Sequence, residues 1–298
     1  MSDYQAWDQK THAKNWLLFS ENVGEYLSID ETAFTNGDLY TIVTNKKAKG
    51  KKGAIVAMVR GTKSEDVINI LQKIPKRKRN NVKEVTLDMA GNMGLIVKHS
   101  FPKATRVTDR FHVQQLATEA IQEIRIKHRW EAIDLENEAI ELARKKGKVH
   151  IPKLLENGDT LKQLLARSRY LLFKKKHNWS DSQKVRAHIL FKLYPDIQKA
   201  YQLSQQLSAI FEKTKDKSIA LTKLAQWYEA VSQAGFKSFN TISRTISNHY
   251  QTILNYFDNR STNASAESFN AKIKAFRAQF RGVRNVEFFL FRLINIFA

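Results

Sequence analysis

The sequence predicts a mixed α/β fold, a single sheet that begins antiparallel and continues parallel, interrupted by a long all-helical block. Three observations lead there. Short apolar runs of strand length crowd the first third of the chain. From residue 113 to 260 the apolar spacing changes to the three- and four-residue steps of helices. A basic helical segment, Ser265–Phe280, and a last apolar helix, Val286–Phe297, then close the chain within 261–298. With 298 residues and a hydrophobic fraction of 42%, there is ample material for a core.

Each element follows from local chemistry. Residues 1–22 are a lead-in, expected to be helical over His12–Phe19. Glu25–Phe34 (EYLSIDETAF) reads as a buried strand through Tyr26, Leu27 and Ile29 that stops on a carboxylate pair, Asp30-Glu31. Strand neighbours face opposite ways, so one of the pair serves a site and the other meets solvent or a basic group. Asn36-Gly37-Asp38 is a hairpin signal leading to a second strand, Leu39–Thr44. A basic loop, Lys46–Lys52, precedes a third, Ala54–Arg60. A helix capped by Ser64 buries Val67, Ile68 and Leu71, and Pro75 with Lys76–Arg79 ends it. The fourth strand, Val82–Leu87, arrives at Asp88. A helix over Asn92–His99 follows, and the fifth strand, Thr105–Thr108, meets Asp109. Hairpin-linked strands followed by helix-linked strands give a mixed sheet covered by helices, the order of an RNase H-like fold. The division expected is a lead-in at 1–22, the first part of this core at 23–112, a helical insertion at 113–260, and returning core helices at 261–298. Within the insertion, Ser180 with Gln183 fits a capping box, and Trp130, Trp179 and Trp227 are read as core packing before platforms for a nucleic-acid base.

A net charge of +21 and a pI near 10.0 point to a polyanionic partner, nucleic acid before membrane. No apolar run approaches the roughly 18–20 residues that span a bilayer. Cysteine is absent, which removes disulfides, thiolate zinc sites and thiol nucleophiles. The polar N-terminus carries no signal peptide, so a cytoplasmic, nucleoid-associated setting is expected.

In such a basic chain, three acids at element ends stand out: Asp30, Asp88 in VTLDMAGN, and Glu267 near a helix start behind an expected cap at Ser265. Singly, each has a plain structural reading as strand cap, turn former or favourable first-turn acid. Jointly, they suit phosphoryl transfer with two divalent cations, since magnesium takes oxygen ligands and keeps waters.

The segments SIDETAF, VTLDMAGN, FPKATRVTDRFHV and TNASAESFNAKIKAFR together resemble a bacterial insertion-sequence transposase of the DDE class, most similar to the ISL3 group and its ISAon-type members. The resemblance runs from about Glu25 to Ala298. It implies an RNase H-like catalytic core and DNA strand cleavage and transfer at element ends. It also implies two Mg2+ or Mn2+ ions on Asp30, Asp88 and Glu267, and a homo-oligomer on DNA. DRFH matches a signature of insertion-bearing relatives. His112 there either contacts a phosphodiester or packs the insertion onto the core, and Asp109 is the alternative to Asp88. Strand count favours Asp88. Around Glu267, the residues Asn263, Asn270, Lys272, Lys274, Arg277, Arg281 and Arg284 are candidates for DNA contact. Fuller relatives carry an N-terminal region that reads element ends, so a separately encoded DNA-binding partner is expected. A structure-selective nuclease on the same fold and a catalytically inactive DNA-binding protein are the alternatives.

Overall fold

A computed structural model describes residues 2–33, 39–279 and 285–298. The Asn36-Gly37-Asp38 turn, Arg281 and Arg284 lie outside the described residues. Packing divides the chain into one unit of Met1–His112 with His249–Ala298, and a second of Val113–Asn248.

The first unit is built on a six-stranded sheet. Its strands are β1 (Trp16–Leu18), β2 (Tyr26–Ala33), β3 (Leu39–Asn45), β4 (Ile55–Arg60), β5 (Glu84–Leu87) and β6 (Thr105–Thr108). The order is β1-β4-β3-β2-β5-β6. β1 to β3 pair antiparallel through β4, as do β3 and β2, whereas β5 and β6 join β2 in parallel. Apart from β1, this is the expected RNase H-like arrangement, with β2 at the centre where the connections reverse.

The helices needed below are α1 (Ser64–Leu71), α2 (Gly91–Ser100), α3 (Arg110–Lys145), α4 (Leu161–Arg167), α5 (Asp181–Leu193), α6 (Pro195–Lys213), α7 (Lys217–Ala234), α8 (Lys237–Asn248), α9 (Ala264–Gln279) and α10 (Val286–Phe297). Strand alternation splits the sheet's side chains into two cores. Leu27, Ile29, Val85 and Leu87 pack with Val67 and Leu71 of α1 and Met93, Ile96 and Val97 of α2. On the opposite face, Tyr40, Ile42, Ile55 and Met58 meet Phe269 and Ile273 of α9 and Phe289, Leu290 and Leu293 of α10.

Four local expectations change. The helix expected over His12–Phe19 is instead a 3-10 turn, Lys10–His12, and the edge strand β1, because Trp16–Leu18 finds a pairing partner in Ala57–Val59. Ser64 is not the cap of α1: Lys63 holds that position, and the Ser64 hydroxyl reaches the Asn92 carbonyl at 3.5 Å. Lys76–Asn80 forms its own helical turn behind Pro75 rather than ending α1. Lys78 Nζ and Arg79 Nη1 there donate to the carbonyls of Ser20 (2.9 Å) and Ser100 (3.0 Å), so this basic run also ties the fold together. Finally, residues 249–260, placed in the insertion by sequence, pack with the sheet unit. Asn255 Nδ2 donates to the Arg106 carbonyl at 2.9 Å, and Asn259 Nδ2 to Glu84 Oε2 at 3.1 Å.

The second unit is helical among its described residues, from Val113 in α3 through α8. Capping boxes start α4 (Thr160, Gln163) and α5 (Ser180, Gln183), and Pro195 opens α6 at its first turn, where a missing N–H costs nothing. Trp179 and Trp227 are core residues, their indole N–H groups donating to the carbonyls of Leu171 (2.8 Å) and Leu203 (2.9 Å). Trp130 is not: it is 61% exposed on α3.

The same unit contains a histidine held from both ring nitrogens. His128 Nδ1 lies 2.8 Å from Glu131 Oε2 and Nε2 lies 2.6 Å from Asp196 Oδ2, joining α3 to the start of α6. Burial opposes the imidazolium, but the bonds to Asp196 and Glu131 outweigh it and raise the pKa above its ordinary value. A raised folded-state pKa contributes stability that is full below the unfolded pKa of about 6.5 and fades as pH climbs through the folded value. The melting-temperature gap between wild type and His128→Gln is therefore expected to be widest near about pH 6 and to close toward alkaline pH. A gap that does not vary with pH would refute the double ion pair.

Candidate active site

Three aspartates converge through strand register. Ser28 of β2 pairs with Thr86 of β5, so Asp30 lies level with Asp88, two residues further along parallel strands. Leu87 pairs with Thr108, which sets Asp88 level with Asp109, each one residue past its strand, and the Asp109 N–H donates to the Leu87 carbonyl at 2.9 Å. All three share the sheet face that α9 covers, at the carboxyl ends of the central strands. Open α/β sheets place ligands at that edge.

Each acid is held by its own sequence. Asp30 Oδ1 accepts from the Glu31 N–H at 2.8 Å, and Oδ2 accepts from Asn270 Nδ2 at 2.7 Å. Asp88 Oδ1 accepts the Ala90 N–H at 2.8 Å, folding the turn after β5 into α2. Asp109 is 1% exposed; Oδ1 accepts the Phe111 N–H at 3.3 Å, while Oδ2 is buried without a partner. Glu31 turns to the other face, where Oε1 accepts from Asn92 Nδ2 at 3.3 Å, an amide rather than the solvent or cation expected.

α9 brings the fourth acid. It begins at Ala264, so Ser265 lies inside the helix instead of capping it. The Asn263 side chain is buried and reaches the Ile29 carbonyl at 3.5 Å, tying the helix start to β2. Glu267, one turn before Asn270, has a buried Oε1 without a hydrogen-bond partner.

Electrostatics show that these groups share one environment. Burial raises the Asp30 pKa, with the Asp88 and Asp109 charges adding to it while the Glu31 N–H and His112 pull it down. Burial likewise raises the Glu267 carboxyl, helped by Asp109 and Asp30 and opposed by His112. His112, in the first turn of α3, is thus an electrostatic neighbour of both. Among the described residues, no three acidic or histidine groups stand as a ready chelate. The donor set suits a hard cation: Asp30, Asp88 and Glu267 offer only carboxylate oxygens, and Glu267 Oε1 is buried with no hydrogen-bond partner.

The expected DNA contacts separate into different roles. Asn263 and Asn270 brace β2. Lys272 Nζ donates to the Gly50 carbonyl at 3.0 Å, and the Arg277 guanidinium lies over the Phe289 ring at 5.1 Å. Lys274 is exposed. Lys46, read as part of a basic loop, is instead largely covered just past the end of β3. Its ammonium donates to Thr86 Oγ1 and pairs with Glu84 Oε1 at 3.4 Å. Burial pushes the Lys46 amine down, while Glu84 and Asp109 hold it up. Glu84 and Thr86 went unnoticed in the sequence, although with Asp88 they form a polar alternation on the site face of β5.

Comparison with known proteins is consistent with this architecture. The DDE_Tnp_ISL3 family model, described as "Transposase", matches residues 27–293. A curated relative, the transposase for insertion sequence element IS1001 of Bordetella parapertussis, is 22% identical over 271 residues, which is 90% of this chain and 60% of that protein. The chain therefore spans about 60% of the length of that relative. No helix among the described residues is long and apolar enough to cross a membrane.

Proposed function

Given that this chain belongs to the ISL3 family of DDE transposases, we propose that it cleaves DNA strands at the ends of an insertion element and joins them to a target. One observation carries the reading: Asp30, Asp88 and Asp109 lie level on adjacent strands and face a helix whose Glu267 presents a buried, unpaired oxygen. Asp30, Asp88 and Glu267 are assigned as the metal-holding acids. Two divalent ions, when bound, supply Lewis acidity and charge at the scissile phosphate.

The chain's own residues set the geometry. Asn270 fixes the outer oxygen of Asp30, and the Ala90 N–H fixes one oxygen of Asp88, so neither carboxylate is free to rotate away. Asp109 is an accessory acid that raises the negative field at Asp30 and Glu267. His112 donates to a phosphate oxygen. Lys274 meets the backbone beyond it. Hydrolysis leaves a 3′-hydroxyl, which attacks a target phosphate and releases the target's own 3′ oxygen. DNA is the partner, and two chains are needed to hold two ends.

Strand-transfer assays test this with a labelled element end and a supercoiled target plasmid. Joined products that require Mg2+ or Mn2+ are expected. In the absence of DNA, either ion should raise the melting temperature by a few degrees as it relieves the crowded carboxylates. Nicking without joining would shift the reading to a nuclease, and neither activity nor a thermal response would leave a DNA-binding protein.

A further inference from the structure

On the face of the sheet opposite Glu267 there is a second opening, a cavity of about 290 Å³ that borders Asp88. Its walls include Lys98 of α2, Arg106 of β6 and His249. Arg106 pairs in register with Val85, so alternation turns it to the α2 side of the sheet, away from Asp109. Among the described residues, none of these three basic side chains has an ion-pair or hydrogen-bond partner. Asp88 is the single acid in the lining.

Gly94 is an independent sign that the space is used. It lies inside α2, where glycine costs about 1 kcal/mol relative to alanine. Packing does not require it: a Cβ there would sit 3.8 Å from Arg106 Nη1, an ordinary contact, and would project at the cavity wall. A glycine where a side chain would fit, beside an unpaired guanidinium, leaves room for something that bonds to that guanidinium.

We propose that this cavity binds a backbone phosphate of the DNA strand being processed, Arg106 and Lys98 supplying the charge and Gly94 the clearance. The strand is then gripped on the far side of Asp88 from Glu267. This deepens the transposase reading and rests on Asp88 belonging to the reactive centre. The ligand chemistry is a phosphate ester with strong acceptor oxygens, which an arginine fork matches better than a point charge does.

Fluorescence anisotropy with a labelled single-stranded oligonucleotide in EDTA tests the grip without the chemistry. Arg106→Gln and Gly94→Leu are each expected to weaken binding about 10-fold, a loss on the scale of one charge-assisted bidentate contact. Exposed Lys98→Gln, which cannot disturb folding, should give a smaller loss. Lys223→Gln, in the other unit, should change affinity less than about twofold. For Arg106→Gln, the slope of log K against log salt should also fall by about 0.7, one single-strand phosphate contact. Equal losses in all four variants, or wild-type binding by Gly94→Leu, would overturn the proposal. So would Arg106-dependent binding of a nucleoside monophosphate with oligonucleotide affinity indifferent to Arg106, since the ligand would then be a free nucleotide. Failure of the catalytic reading has a different signature: no metal-dependent nicking, with anisotropy and its Arg106 dependence intact.

Discussion

Asp30→Asn is expected to lose at least about a thousandfold in metal-dependent strand cleavage while folding as well as the parent, or better. The rate loss follows from charge: a carboxylate that anchors a divalent ion contributes several kcal/mol at the transition state, and each 1.36 kcal/mol is tenfold. The stability gain follows from environment. Burial and the neighbouring Asp88 and Asp109 raise the Asp30 pKa. A carboxyl whose folded pKa lies above its unfolded value destabilises the folded state at neutral pH, and the loss is recovered as pH falls through the folded pKa. The amide removes the charge and its oxygen still accepts from the Glu31 N–H, while Asn270 turns its amide so that its oxygen accepts from the new NH2. In EDTA at neutral pH the variant should therefore melt at or above wild type, and added Mg2+ should stabilise it less than it stabilises the parent. Cleavage at the parent's rate would remove Asp30 from the site, and a lower melting temperature in EDTA would show that its charge is compensated from within the protein.

Lys46→Met is the second large effect, and it concerns stability. The ammonium is buried against Glu84, itself 2% exposed, with Thr86 and Asn259 completing the cluster. Removing one member of a buried pair leaves the other uncompensated, at a cost of about 3–5 kcal/mol. For a chain of this size that lowers the melting temperature on the order of 10 °C. Replacing both charges, Lys46→Met with Glu84→Leu, should recover most of the loss, because a well-packed apolar pair needs no desolvation. Additive losses in the double variant would mean that each side chain matters for separate contacts, not for the pair.

Strand-length apolar runs bounded by turn residues made the sheet legible, and the shift to helical spacing after Asp109 made the helical block legible. The three acids at strand ends and a helix start were visible for the same reason: carboxylates at the edge of apolar runs need a compensating purpose. What remained hidden depends on pairing between distant segments. Trp16–Leu18 is a strand only because Ala57–Val59 leaves an edge for it. Lys46 looks like the first of a solvated basic run, and only the β3–β2–β5 register brings it over Glu84. Lys272 and Arg277 stood among the expected DNA contacts beside Glu267, yet a loop carbonyl and an aromatic ring engage them. Asn270 was legible as a neighbour of Glu267 but not as the group that holds Asp30, since 240 residues separate the two.

The final helix fastens the sheet late in synthesis: the Phe297 carbonyl accepts from the Ala54 N–H at 2.8 Å, and Phe289, Leu290 and Leu293 seal the face carrying Ile42 and Met58. A ribosome adding about 5–20 residues each second takes roughly 10–40 s to travel from β6 to that helix. Throughout that interval the nascent sheet has one oily side bare, so chains released before α10 is made would associate through that face rather than stay apart.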